Sequence, residues 1–364
     1  MAKPFDEPPP IPVGAPERVT RRRPPWERGP IGLLLAPLGL AYGAFMDFRR
    51  SLYRRGVLGT TRFPLPVISV GNLTVGGTGK TPLVSAIIDA LPEESTPALV
   101  VSRGYGAQVE RDGVVLNDEG WMLRLRHPNH HFVQGADRAK TIAAALAGPC
   151  ADARVVILDD GAQHLSVARD LDIFVIDARE LLVPVRCLPA GPWREKLAVA
   201  AAADVIVLTR CDQIELRTLA RIEAVMKRAA PGKPVFLTRH APTALRDPET
   251  GVEDLGFDLY GATVGLVSGI GSPETFAQTV LNLGAAVAWR LDFGDHHEYI
   301  DADRERIVRR FQEAPVDLVL TTEKDILKLE GLGIPISVLV VDLDFGLGSE
   351  AFRRIVAERL VVRF

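Results

Sequence analysis

A chain of 364 residues is longer than one hydrophobic core usually serves, which predicts two domains. With 47% hydrophobic and 24% charged residues, intrinsic disorder, collagen and coiled coil are excluded for the bulk of the chain. The 43 Lys and Arg nearly balance 46 Asp and Glu, for a net charge of -3, and no strongly basic domain announces a nucleic-acid partner.

The charge is uneven along the chain. Residues 1–60 carry ten basic side chains against five acidic ones, an excess that points to an anionic surface. Cys150, Cys187 and Cys211 form no C-x-x-C pair and read as reduced thiols of a cytoplasmic protein, neither a disulfide frame nor a zinc site.

Residues 1–30 hold nine of the 27 prolines, which predicts an irregular leader. An apolar run at 31–46 follows, 16 residues long, against the roughly 20 needed to cross a bilayer. It has no cleavage site and is followed at once by Arg49, Arg50, Arg54 and Arg55, so it is not a secretory signal. Leu34, Leu38, Ala41, Phe45, Phe48 and Leu52 recur at helical spacing beside arginines. The region 31–60 is therefore expected to be an amphipathic helix in a membrane surface, with packing on its own domain as the alternative.

From 61 to 240, short β-branched runs at 67–70, 98–102, 155–158, 173–176, 205–209 and 235–238 alternate with helical stretches, the pattern of a parallel sheet covered on both faces. Residues 241–263 are rich in Pro, Gly and acidic groups and read as a linker. A second alternation over 264–364 predicts a smaller α/β domain.

The first strand runs into Thr74, Val75, Gly76, Gly77, Thr78, Gly79, Lys80 and Thr81, and a helical pattern begins directly after it. This is a variant phosphate-binding loop, since the strict G-x-x-x-x-G-K-[ST] form would place glycine at Thr74. Its amides can turn around nucleotide phosphates, Lys80 can meet the outer ones, and the Thr81 hydroxyl can ligate magnesium. The 155–158 strand ends in Asp159 and Asp160, the usual place for further magnesium support, and Gln163 and His164 follow toward the same crevice. Thr209-Arg210-Cys211-Asp212 has the outline of a guanine-reading T-K-x-D box with its lysine replaced, which favours a structural turn. Asp295-His296-His297 follows a strand of the second domain, where a histidine beside a carboxylate suits acid–base work.

These pieces together resemble the tetraacyldisaccharide 4'-kinase family. The resemblance rests on VGNLTVGGTGKTP at 70–82, SRGYG at 102–106, DR at 137–138, ILDDGAQH at 157–164, RDL at 169–171, LPAGPWRE at 188–195, SGIGSP at 268–273, DHHEY at 295–299 and TTEKD at 321–325. It implies an α/β fold: a P-loop NTPase core with a mostly parallel sheet, a smaller α/β second domain and an N-terminal amphipathic helix docked on a membrane. It also implies ATP and Mg2+ in the crevice between the domains, and a lipid A disaccharide precursor as acceptor at the cytoplasmic face of the inner membrane. The family's catalytic aspartate sits in a G-D-E-P segment, matched here by Asn117-Asp118-Glu119-Gly120, which makes Asp118 the expected base. The histidine paired with it falls on His296, where Gly294 replaces the proline of F-P-D-H. Ala162 stands where the family has Phe in D-D-G-F-Q-H. Arg194 and Glu195 are secondary candidates for phosphate charge and the metal shell. Two other readings share the phosphate loop: a membrane-associated nucleotide switch, which would carry lysine where Val75 stands, and a GTP-binding metal chaperone.

Overall fold

The computed structural model describes residues 31–104, 108–111 and 113–361; the proline-rich leader and Tyr105 and Gly106 of the SRGYG segment lie outside them. The described chain groups into two units. One runs up to Ala241 and resumes at Asp342, and the other is Pro242–Val341.

The first unit begins with helices α1 (Ile31–Leu34) and α2 (Ala36–Arg54). Its sheet is built from β1 (Val67–Asn72), β2 (Ala98–Ser102), β5 (His131–Gln134), β6 (Val155–Asp159), β7 (Leu171–Asp177), β8 (Val205–Thr209) and β9 (Val235–Leu237), in the order β5-β2-β6-β1-β7-β8-β9. Every neighbouring pair is parallel. Continuous apolar runs such as Val-Val-Ile-Leu and Val-Ile-Val-Leu make this possible, because β1, β6, β7 and β8 are buried along their whole length. Helices α3 (Lys80–Asp89), α4 (Asp118–Arg126), α5 (Arg138–Leu146) and α6 (Leu216–Ala229) supply the crossovers, and a small hairpin, β3 (Gln108–Arg111) with β4 (Val114–Asn117), precedes α4.

The second unit carries its own sheet, in the order β11-β10-β15-β14-β12-β13. The strands are β10 (Arg239–Arg246), β11 (Glu253–Asp254), β12 (Thr263–Ser268), β13 (Ala286–Asp292), β14 (Leu318–Thr322) and β15 (Ile336–Asp344), with helices α7 (Pro273–Asn282), α8 (Asp301–Glu313) and α9 (Ile326–Leu329). Residues 241–263, expected as a linker, instead hold most of the hairpin β10–β11, paired Leu245 to Asp254. Their turn-rich composition belongs to the hairpin's loop, where Asp247 Oδ1 accepts from the Glu249 and Thr250 amides at 2.9 and 2.8 Å. The expected second domain also ends early. Helix α10 (Ser349–Val361) groups with the first unit, where Phe345 and Phe352 stack at 4.3 Å and both meet the Phe236 edge.

Helix α2 packs on the first unit, but not through its apolar stripe. The side it lays on the first unit is Gly39, Gly43, Met46 and Arg50, one helical stripe, whereas Leu34, Leu38, Ala41, Phe45 and Phe48 face outward. Phe45 and Phe48 are 60% and 61% exposed. Glycine is needed on the inner stripe because a Cβ at Gly39 would stand 2.7 Å from the Cys187 carbonyl oxygen and one at Gly43 3.2 Å from Cys187 Sγ. The arginines do not all flank the apolar face either: Arg50 is buried and Arg49 donates to the Gln163 carbonyl at 3.0 Å, leaving Arg54 and Arg55 exposed. Among the described residues no helix is long and apolar enough to cross a membrane.

Gly39→Val is expected to unseat α2 at an overpacking cost of about 1–3 kcal/mol. The measurements are a lower Tm and faster tryptic cleavage after Arg54 and Arg55, and Leu38→Ala on the outward face should leave both unchanged.

Candidate active site

The phosphate loop spans the end of β1 and the start of α3, where the strand must reverse tightly into a helix. Gly79 caps α3 with φ 92°, and a Cβ there would also press on Thr209 Cγ2 at 3.2 Å and His240 Nε2 at 3.4 Å. Thr78 is pinned from both sides: its hydroxyl accepts from Asn72 Nδ2 at 3.1 Å, and its carbonyl accepts from the Thr209 hydroxyl at 2.8 Å. The arm before the glycines is used differently from expectation. Thr74 bridges to Trp193, and the Val75 amide donates to the Pro192 carbonyl at 2.8 Å, so that amide is spent within the protein. In the first turn of α3 the amides without an intrahelical partner are those of Lys80 and Thr81, since Pro82 has no N–H and the Leu83 N–H donates to the Gly79 carbonyl at 3.2 Å.

Lys80 and the paired carboxylates come together. Lys80 Nζ lies 3.6 Å from Asp160 Oδ1, and Arg194 Nη1 donates to both Asp160 oxygens at 3.1 Å. Asp160 sits at φ 56°, a left-handed turn that aspartate tolerates better than most residues. Burial pushes its pKa up, but Lys80 and Arg194 outweigh burial and hold it below the ordinary carboxylate value. Asp159 is the opposite case. Burial pushes it up to about 7, Glu119 and Asp160 add repulsion, and Lys80 and Arg138 oppose them only in part. Asp159 Oδ1 is buried with no hydrogen-bond partner.

Around this pair stand two residues to which the sequence attached no role. Arg138 is 1% exposed; it donates from Nη1 to the Gly135 carbonyl while Nε and Nη2 have no partner, and Asp159 and Asp160 are the carboxylates whose charge acts on it. Glu119 acts on Asp159 from α4. The signal for both was in motifs already noted, the DR pair and the residue beside Asp118. His164 is driven down to about 4, first by burial and then by Arg138, so it is an uncharged imidazole at neutral pH.

Asp118 opens α4 and is buried. Its segment is moored to the ends of two strands. Asn117 donates its amide to Gln134 Oε1 at 2.9 Å, and Gln134 Nε2 donates to Ser102 Oγ at 2.8 Å and to Asn117 Oδ1 at 2.6 Å. Gln163 Nε2 donates to the Asn72 carbonyl at 3.0 Å and to Glu195 Oε1 at 3.1 Å. Glu195 itself is 2% exposed, with both oxygens engaged by Arg50, so its place is that of an internal anchor.

The Thr209–Asp212 box is tied into the fold: Arg210 takes a left-handed φ of 56° and pairs with Asp177 at the end of β7. In the second unit, His296 adopts φ 60°, and its Nε2 lies 3.2 Å from Lys324 Nζ, which also donates to Asp295 Oδ1 at 2.7 Å. His297 is a framework residue, stacked on Phe293 at 4.7 Å and paired with Asp303 at 2.8 Å.

The oxygen donors of the first unit suit a hard divalent cation. An orphaned buried carboxylate oxygen on Asp159, the charged Asp160 and the half-buried Thr81 match the ligand class that Mg2+ takes from proteins beside nucleotide phosphates. Among the described residues no three His, Cys, Asp or Glu side chains form a metal cage, so the protein's share would be these few groups.

The chain is similar to known proteins over most of its length. The family profile described as Tetraacyldisaccharide-1-P 4'-kinase matches residues 31–361. A tetraacyldisaccharide 4'-kinase of Desulfatibacillum aliphaticivorans is 32% identical over 354 residues, covering 90% of this chain and 93% of that protein. Another, from Anaeromyxobacter sp. (strain K), is 37% identical over 320 residues, 83% of each. Among solved structures, an "apo" form of LpxK from Aquifex aeolicus in complex with ATP superposes with a TM-score of 0.73 at 29% identity, covering 91% of this chain and 99% of that one.

The raised Asp159 has a stability consequence. The unfolded chain releases this proton near pH 3.8 and the folded chain near 7, so the stability it confers is full below the first value and is lost as pH climbs to the second. Asp159→Asn, unable to ionise, should gain Tm over the unsubstituted chain from about pH 4 to about pH 7 and hold that gain above, measured in EDTA. A Tm difference independent of pH would refute it.

Proposed function

The chain belongs to the tetraacyldisaccharide-1-P 4'-kinase family, and from that premise we propose how its residues phosphorylate the 4'-hydroxyl of the lipid A disaccharide 1-phosphate precursor with ATP. Phosphoryl transfer asks a protein for alignment and charge neutralisation more than for covalent chemistry. The first turn of α3 receives the phosphates with its amides, and Lys80 meets the outer phosphate from a site already shared with Asp160. Thr81, Asp159 and Asp160 would hold Mg2+, which when bound draws charge from the phosphate oxygens. Arg194 fixes Asp160, and Arg138 offers unspent N–H groups to further phosphate charge.

Asp118 is assigned as the base that accepts the proton of the sugar hydroxyl, with His296 as its helper. The assignment rests on the family pattern, on the burial of Asp118 and on the mooring of its segment to Ser102 and Gln134. The observation that carries the whole reading is the convergence of Lys80, Asp160 and Arg194 directly behind a glycine-turned helix start. A tetraacylated acceptor is held in a bilayer by its chains, so the enzyme works at that surface. The outward stripe Leu34, Leu38, Phe45 and Phe48, with Arg54 and Arg55 beyond it, is the docking face on the cytoplasmic side of the inner membrane.

With radiolabelled ATP and disaccharide-1-phosphate glycolipid in detergent micelles, the unsubstituted chain should label lipid, and Asp118→Ala should lose turnover roughly a thousandfold, the scale of a positioned base. Equal turnover would remove Asp118 from the mechanism. Phe45→Glu combined with Phe48→Glu should abolish co-flotation with phosphatidylglycerol vesicles; undiminished flotation would remove α2 from the docking face.

A further inference from the structure

Helix α2 has a second attachment besides its glycine stripe, and it is polar and buried. Arg50 grips Glu195 with two parallel bonds, Nε to Oε2 and Nη2 to Oε1, each 3.0 Å, at side-chain exposures of 10% and 2%. Arg50 Nη2 also reaches the Ala162 carbonyl at 3.4 Å, and Arg49 Nη1 the Gln163 carbonyl at 3.0 Å. These two carbonyls belong to the loop that begins with Asp159 and Asp160.

The contacts continue without a gap to the phosphate loop. Glu195 Oε1 accepts from Gln163 Nε2 at 3.1 Å, Gln163 Oε1 accepts from Arg194 Nη1 at 3.1 Å, and the same nitrogen holds Asp160, which faces Lys80. A left-handed aspartate at 160 persists only where its surroundings hold it, and the two arginines grip the residues immediately after that turn.

Stability alone does not account for this ion pair. Buried pairs return little compared with apolar side chains of similar volume, whereas their directional bonds specify geometry. We propose that Arg50 is a positioning residue for phosphoryl transfer, acting through Glu195 and Gln163 on the Arg194–Asp160 pair, so that the outward-apolar helix and the phosphate site form one hydrogen-bonded unit. The proposal rests on the kinase reading above. Without Arg50, buried Glu195 draws on the nearest cation of its network, Arg194, and Asp160 loses its hold.

Removing one partner of a buried pair also destabilises the fold, so the test separates geometry from folding. Arg50→Met, Arg50→Lys, Glu195→Met and the double variant Arg50→Met/Glu195→Met are compared for Tm, kcat and the KM for ATP, with glycolipid in detergent micelles so that failure to reach a bilayer does not enter. Arg50→Met should lower Tm and kcat, and Arg50→Lys should recover part of kcat. The double variant should regain Tm while kcat stays down roughly a hundredfold, the scale of a misplaced catalytic group, with little change in the KM for ATP. Recovery of kcat together with Tm in the double variant would make the pair structural only and overturn the proposal, as would a change confined to the KM for ATP. Absence of labelled lipid from the unsubstituted chain would fall on the kinase reading instead.

Discussion

Two adjacent carboxylates at the end of one buried strand, their proton affinities moved in opposite directions, are the constraint around which the site is arranged. Asp160 is ionised because Lys80 and Arg194 face it, and Asp159, one residue earlier, is raised to about 7 because burial and two acidic neighbours outweigh the cations within reach. A cation taking the Asp159 oxygen would compete with its proton, so its affinity would rise with pH. Lys80, Arg138 and Arg194 are placed by the same requirement, since each opposes a carboxylate in a region with little water to do so.

The second organising fact is that α2 reverses the usual rule for a surface helix. It packs on its small residues and leaves its large apolar ones outside. In water such an exposed stripe is costly, about 25 cal/mol for each Å² left uncovered. A helix that rests on glycines can lie close to the body while offering Leu and Phe to an apolar phase. Its buried arginine ties the far end of the same helix to Glu195 and to the loop that follows Asp160.

The fold was legible where periodicity and burial agree. Strands such as Val155–Asp159 and Val205–Thr209 are apolar at every position because both faces are covered, and the phosphate loop announced itself by its place between strand and helix. The helical spacing in α2 was legible too, but the side of contact was not: periodicity identifies an apolar face without saying what covers it. Residues 241–263 misled because hairpin turns and linkers share a composition. Arg50, Arg138 and Glu119 escaped because their importance lies in burial and in neighbours far away in sequence, which no local pattern encodes. Glu195 was read as a metal-shell candidate for the same reason, since its partner Arg50 is 145 residues away.

The residues on either side of Asp118 depart from the family pattern together, and the structure gives a physical reason. Where the family pattern has glycine before Asp-Glu and proline after, this chain has Asn117 and Gly120. Proline has no amide hydrogen and fixes φ for a helix start, so a segment that ends in it needs no side-chain cap. Glycine at 120 restores a donor and loosens the backbone, and the Asn117 side chain takes that donor at 3.0 Å while also meeting Gln134. A Cβ at 120 would stand 2.8 Å from Gln134 Nε2, so glycine also leaves Gln134 in place to bond Ser102 and Asn117. The two replacements therefore compensate each other: one frees a backbone donor, the other binds it, and Asp118 between them opens the helix beside Glu119.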